Sequence, residues 1–197
     1  MPGWIKALAT LILVGVVASV AAIQFLPGQP DIENPEDPQT PLPTDYPNFA
    51  TGVFYTNLVT KEDGTKVQLP LSFLKENTIV FADARLATPR SSISYKGRTI
   101  PLSTYRNGEY LPLIVIFTPS GGIKTGIRTC EPCNGFSMHI ENGKHLVCDV
   151  CSTKWDLETF NGISGGCPDY PPPQLPKAVS TDNLTIDLTD LGVVISN

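Results

Sequence analysis

All five cysteines of this 197-residue chain lie between residues 130 and 167, and their spacing limits the fold more than any other feature does. They run Cys130-Glu-Pro-Cys133, fourteen residues, Cys148-Asp-Val-Cys151, fifteen residues, then Cys167 within Gly165-Gly166-Cys167-Pro168. Each C-x-x-C pair places two sulfurs on one tight turn, and a hairpin between the pairs brings the turns together, which is the pattern of a four-thiolate metal site. The insert suits that role. Phe136 to Ile140 and Lys144 to Val147 flank Glu141-Asn142-Gly143, and Asn-Gly favours a tight turn between two short strands. The expected ligands are Cys130, Cys133, Cys148 and Cys151, with Cys167 as a further candidate.

Zinc and disulfides are the ordinary uses of thiols so arranged. A fourteen-residue insert falls just short of the zinc-ribbon window of about 15–20 residues, so spacing by itself favours zinc holding two turns together. Disulfides are the competing use of thiols in an exported domain, although five cysteines leave one unpaired. Neighbouring thiolates repel, so the reduced, metal-free form is expected to be the least stable. His139 and His145 sit in the expected hairpin at a spacing unlike that of a ligand pair and read as ordinary strand residues. Glu141 and Asp149 read as solvated.

The N-terminus decides the compartment. Residues 7–23 carry no charge, and the apolar run extends to Leu26, close to the roughly 20 residues that cross a bilayer core. Lys6 precedes it and Asp31, Glu33, Glu36 and Asp37 follow, which keeps the N-terminus cytoplasmic and places the remainder outside. A cleaved signal peptide, read at Ser19-Val20-Ala21, is the alternative and also exports the domain. From Pro27 to Pro47 there are seven prolines and five acidic residues, a composition that makes a semi-rigid spacer with no core of its own. The expected organisation is an anchor at 1–26, a linker at 27–48 and an extracytoplasmic β domain at 49–197, with the metal site at 130–167.

Between Phe49 and Thr129 short apolar runs alternate with turn signals such as Glu62-Asp63-Gly64, Lys96-Gly97, Asn107-Gly108 and Ser120-Gly121-Gly122. The runs are 53–59, 67–74, 78–82, 91–95, 110–117 and 123–127, an all-β pattern. Tyr110 to Phe117 is the most apolar and is expected at the centre of a sheet, and Ile123 to Ile127 leads directly into Cys130. After Cys167, Pro171 to Pro176 forms an extended segment that either covers the site or connects to the next strand, while Leu184 to Thr189 and Val193 to Ile195 read as strands that complete the core. Asn183-Leu-Thr185 fits a glycosylation acceptor.

The run from Ile123 through Cys130-Glu-Pro-Cys133-Asn-Gly, Leu146-Val-Cys148-Asp-Val-Cys151 and Trp155 to Gly165-Gly166-Cys167-Pro168 resembles the FtrD-like family of membrane iron-sulfur proteins. The resemblance covers about residues 65 to 176. It implies electron transfer beside membrane iron-uptake machinery or in a respiratory redox chain, with Cys130, Cys133, Cys148 and Cys151 as ligands and a redox protein or metal-permease complex as partner. Two departures stand out: one membrane segment where some relatives have several, and Asp169-Tyr-Pro-Pro-Pro173 in place of a shorter ending. Cys151-Ser-Thr-Lys-Trp-Asp with the following glycines is also similar to the second cluster loop of Rieske proteins. A Rieske site needs two imidazoles, and both pairs here are C-x-x-C, so this similarity bears on architecture and not on ligands.

The resulting expectation is an all-β chain with a Rieske-like or sandwich-like domain, a two-loop cysteine site and one N-terminal transmembrane helix. Its cofactor is an iron-sulfur cluster or mononuclear iron, with zinc as the alternative. An electron carrier is the leading function, a zinc-stabilised interaction or scaffold domain the second, and a thiol-disulfide redox protein the third. A net charge of −5 without clustered Lys or Arg excludes nucleic acid as a partner. The chain carries no G-x-S-x-G, P-loop or dinucleotide fingerprint, so an enzyme with its own substrate has little support.

Overall fold

The computed structural model describes residues 46–196. The segment at 7–26 and most of the proline-rich linker therefore lie outside the described residues. Among those described, no helix is long and apolar enough to cross a membrane. The chain folds into β1 (Phe49–Thr51), β2 (Val53–Tyr55), β3 (Val59–Lys61), β4 (Lys66–Pro70), a one-turn helix α1 (Leu71–Glu76), β5 (Ile79–Arg85), β6 (Ser92–Tyr95), β7 (Arg98–Pro101), β8 (Tyr110–Phe117) and β9 (Ile123–Ile127). It continues with β10 (Met138–Glu141), β11 (His145–Cys148), β12 (Lys154–Asp156), β13 (Gly162–Ser164), β14 (Lys177–Val179) and β15 (Asn183–Asp187). All-β is borne out, with little helix.

Three sheets and one hairpin result. A base sheet has the order β14-β15-β4-β3, a central sheet β2-β5-β8-β9 and a cysteine sheet β1-β10-β11-β12-β13, while β6 and β7 pair alone. Strand alternation explains how the central sheet serves both neighbours. Val80, Ala82 and Ala84 of β5, with Leu111, Leu113, Val115 and Phe117 of β8, join the base sheet's Val67, Leu69, Leu184 and Ile186 in one core. From the opposite face Ile79, Phe81, Ile114 and Ile116 join Met138, Ile140, Leu146 and Trp155 of the cysteine sheet in a second core. This is why residues 110–117 are apolar without alternation: β8 is an interior strand covered on both faces.

Several boundaries differ from the sequence expectation. The run 67–74 is a strand only to Pro70, where the missing amide ends the ladder and α1 begins, burying Leu71 and Leu74 one turn apart. Strands β7 and β14 lack an apolar pattern in the sequence and are set by their partners β6 and β15. Val193 to Ile195 is not a strand: Val193 and Ile195 reach the core, and a single bridge ties Ile195 to Leu86. Pro171 to Pro176 runs along the outer edge of β9, where Ile127 N–H donates to the Pro173 carbonyl at 2.9 Å and Leu175 N–H to the Thr125 carbonyl at 2.9 Å. The segment thereby covers an edge strand that would otherwise expose backbone donors and acceptors.

Candidate metal centre

The two C-x-x-C turns are built alike. In the first, Cys130 N–H donates to the Gly135 carbonyl (2.8 Å) and Gly135 N–H returns to the Cys130 carbonyl (3.1 Å). In the second, Cys148 N–H donates to the Thr153 carbonyl (3.0 Å) and Ser152 N–H to the Cys148 carbonyl (2.9 Å). In both, the residue after the second cysteine takes a left-handed conformation, Asn134 at φ 51° and Ser152 at φ 54°. Asn accepts that conformation at low cost; Ser adopts it less readily. Strand β9 delivers the first turn and β11 the second, and pairing of β10 with β11 in the register Met138↔Cys148 brings the turns together. Gly135 is required by proximity, since a β-carbon there would lie 2.7 Å from Cys148 Sγ and 3.1 Å from Cys133 Sγ.

A third loop, after β13, brings in Cys167. The sulfurs of Cys130, Cys133, Cys151 and Cys167 all lie within 4.8 Å of one another. Cys130 and Cys151 approach to 3.9 Å, and Cys148 Sγ lies 3.6 Å from Cys133 Sγ. All five are free thiols; Cys130, Cys148 and Cys167 are buried, and Cys133 and Cys151 are half-buried. Of the four expected ligands, Cys130, Cys133 and Cys151 fall in this group together with the further candidate Cys167, while Cys148 lies beside it in contact with Cys133.

Four side chains hold the loops in place. Thr153, fully buried, accepts Cys167 N–H at its hydroxyl (3.0 Å), and the same hydroxyl lies 3.2 Å from Cys151 Sγ. The Trp155 indole donates to the Pro168 carbonyl (3.0 Å), pinning the third loop to β12. Arg98 of β7 donates to Glu131 of the first turn (3.0 Å) and to the Pro171 carbonyl beyond Cys167 (2.9 Å), so one guanidinium ties two cysteine loops. Arg128, 2% exposed, donates to the Phe136 carbonyl and to Asp83 (2.7 Å) and Tyr105 (2.8 Å), with Phe81 stacked on its guanidinium at 4.4 Å. A buried charge persists only with such partners.

These contacts set thiol acidity. Burial, with crowding by neighbouring thiols, raises Cys130 and Cys167 above the ordinary range. Burial likewise pushes Cys148 up to about 12, opposed by backbone N–H bonds from Cys151 and Val150. Burial also acts against the Cys151 thiolate, but the hydroxyl and backbone amide of Thr153 overcome it and hold this thiol down to about 6. Among the thiols that are shifted, Cys151 alone is moved toward the thiolate.

The donor set fits a thiolate-bound metal. It contains only sulfur, the ligand type that selects iron-sulfur clusters and zinc. Sulfur separations of 3.6 and 3.9 Å bracket the edge of about 3.8 Å expected for a tetrahedron with metal–sulfur bonds of about 2.3 Å. Neither histidine belongs to the group. His139 Nδ1 pairs with Asp149 at 2.6 Å, and His145 lies on β11 opposite Glu141, in keeping with their reading as strand residues. Glu141 and Asp149 keep partial exposure but are partnered, Glu141 by Lys154 and Asp149 by His139 and Ser137. Sequence reasoning passed over Thr153, Arg98, Arg128 and Asp83; only a charged residue at the end of an apolar strand, two positions before Cys130, signalled Arg128.

A family model described as membrane iron-sulfur containing protein FtrD-like matches residues 96–194, half of the chain. The comparison with curated proteins returned no match. The chain belongs to the FtrD-like family of membrane iron-sulfur proteins.

Proposed function

We propose that this FtrD-like chain is a membrane-anchored, extracytoplasmic electron carrier. Its redox iron, as a cluster or a single ion, would be held by thiolates of Cys130, Cys133, Cys148 and Cys151, with Cys167 beside them. The convergence of five cysteine sulfurs from three separate loops is the observation that carries this reading. Bound iron supplies a one-electron couple, and a ligand set without imidazole gives a lower potential than a Rieske centre has. The protein's part is to fix the loops and limit water. Arg98, Thr153 and Trp155 hold the loops; the buried Cys130 and Cys148 face the core; the half-buried Cys133 and Cys151 form the edge through which an electron passes. Exposed Val150, Ile163 and Tyr170 lie on or next to these loops and offer apolar contact to a redox partner protein.

The anchor at 1–26, a cytoplasmic N-terminus and a single membrane pass belong to the same proposal, as does service to a metal permease or respiratory chain. The cysteine sheet packed on a larger β body supports a Rieske-like arrangement with thiolates in place of imidazoles. A second reading, a structural zinc in a scaffold domain, draws on the sulfur spacing, which suits one tetrahedral ion. Analysis of iron, zinc and acid-labile sulfide in the full chain, purified in detergent without oxygen, separates the two. Iron at one or more per chain supports the carrier; one zinc and no iron supports the scaffold.

A further inference from the structure

We propose that Cys148 and Cys167 compete for one coordination position, so that the centre keeps Cys130, Cys133 and Cys151 and exchanges its fourth thiolate. The inference rests on the reading that the cysteine cluster holds a metal. A tetrahedral site takes four thiolates, and five are present. The fifth is not remote. Cys148 Sγ is 3.6 Å from Cys133 Sγ, while Cys167 lies with Cys130, Cys133 and Cys151 in the set enclosed within 4.8 Å. Cys167 thus completes a tetrad with the trio in this structure, and Cys148 stands against the same trio at Cys133, one sulfur more than a tetrahedral ion takes.

Each competitor is prepared for the position in a different way. Cys148 ends β11, its amide is bound to the Thr153 carbonyl, and strand pairing with Met138 fixes where its sulfur sits. Cys167 follows Gly165, at φ +104°, and Gly166, around which a β-carbon would meet nothing within 4 Å. Its amide is bound to the hydroxyl of Thr153, the residue whose carbonyl binds Cys148. Thr153 thus touches both rivals and the shared Cys151. No covalent bond forms or breaks other than metal–sulfur bonds, with one thiolate leaving as the other enters. Such an exchange changes the loop that supplies the fourth ligand without leaving the ion three-coordinate.

The test is cobalt(II) binding by the full-length chain and its cysteine variants, read by metal stoichiometry and by charge-transfer and d–d absorption. C148S and C167S are each expected to bind one cobalt with the intensity of four thiolates. C130S, C133S and C151S, although each retains four cysteines, are expected to show three thiolates and lose about a quarter of the charge-transfer intensity, as is the C148S/C167S double variant. If C148S or C167S alone loses what the trio variants lose, the centre has one fixed quartet and the proposal fails. It fails equally if a trio variant keeps the four-thiolate spectrum. Cadmium-113 resonance of the unsubstituted chain guards against variants that do not fold. Two signals, or one broadened by exchange, are expected, whereas one sharp signal coinciding with that of either single variant overturns the proposal. Absence of thiolate-bound cobalt from the wild type overturns both this proposal and the metal-centre reading. The expected cobalt pattern in a chain that carries no iron supports the exchange and refutes electron carriage.

Discussion

The two cores that share the central sheet are made of different materials. The base core holds twenty-five buried residues among those described, none of them cysteine, whereas the core under the cysteine sheet holds thirteen, three of which are Cys130, Cys148 and Cys167. Burial of an aliphatic side chain is worth roughly 1.5–3 kcal/mol, so the base core stands on hydrophobic burial alone. The cysteine layer has fewer such residues and buries thiols that repel once ionised. It follows that one layer is stable by packing and the other depends on what its sulfurs bind.

Removing the metal should break that comparison most sharply. Metal affinity is folding free energy when the site does not pre-exist in the unfolded chain, on the order of 10 kcal/mol for structural thiolate sites. Hydrogen exchange after chelation should show lost protection in β10, β11 and β12 while β4, β5, β8 and β15 stay protected. Equal loss in both layers would mean a single cooperative unit. Next in size is Asp83→Asn, which strands the buried Arg128 charge and should cost about 3–5 kcal/mol by denaturant unfolding, because Arg128 also holds the Phe136 carbonyl of the first cysteine loop. Leu113→Ala, fully buried in the base core, should cost about 2–5 kcal/mol with no change in the metal spectrum. A spectral change there would show that the two layers are coupled through the central sheet.

Acidity gives a smaller test. Cys130, Cys148 and Cys167 have raised pKa values, so they hold protons at neutral pH and must release them to bind a metal. Apparent metal affinity should therefore climb with pH, about tenfold per unit for each proton released, as a competition titration against a chelator would measure. The metal-free layer has the opposite slope. Raised thiol pKa values favour the folded form below the ordinary thiol range and lose that contribution as pH rises through the folded values. The smallest effect is at Asp156. Burial opposes its ionised form, but N–H bonds from Thr159 and Glu158 prevail and keep its pKa below the ordinary 3.8. That contribution is present above 3.8 and fades as pH falls through the lower folded value, so Asp156→Asn should flatten acid unfolding slightly.

Much of this difference between layers was legible in the sequence. The cysteine spacing and the Asn142-Gly143 turn specify the paired loops, because tight turns and short hairpins are local. The eight-residue apolar run at 110–117 marks a strand buried on both faces for the same reason. What escaped notice is carried by long-range partners. Nothing near Thr153 announces that it would meet Cys167, fourteen residues on, and Asp83 lies forty-five residues from the Arg128 it neutralises. The role of Pro171 to Pro176 was open for a similar reason, since an extended proline segment shows no sign of which edge it will cover.

An electron carrier of this kind requires a reversible one-electron couple on cysteine-held iron. The most direct measurement is a redox titration of the anaerobically purified full chain, followed by absorption and electron paramagnetic resonance. The expected result of an electron carrier is an iron signal that appears and disappears reversibly with a one-electron slope, and that is lost in C151S, which removes a thiolate common to both ligand sets. A metal centre that stays silent across the accessible potential range, or a signal unchanged in C151S, would contradict it.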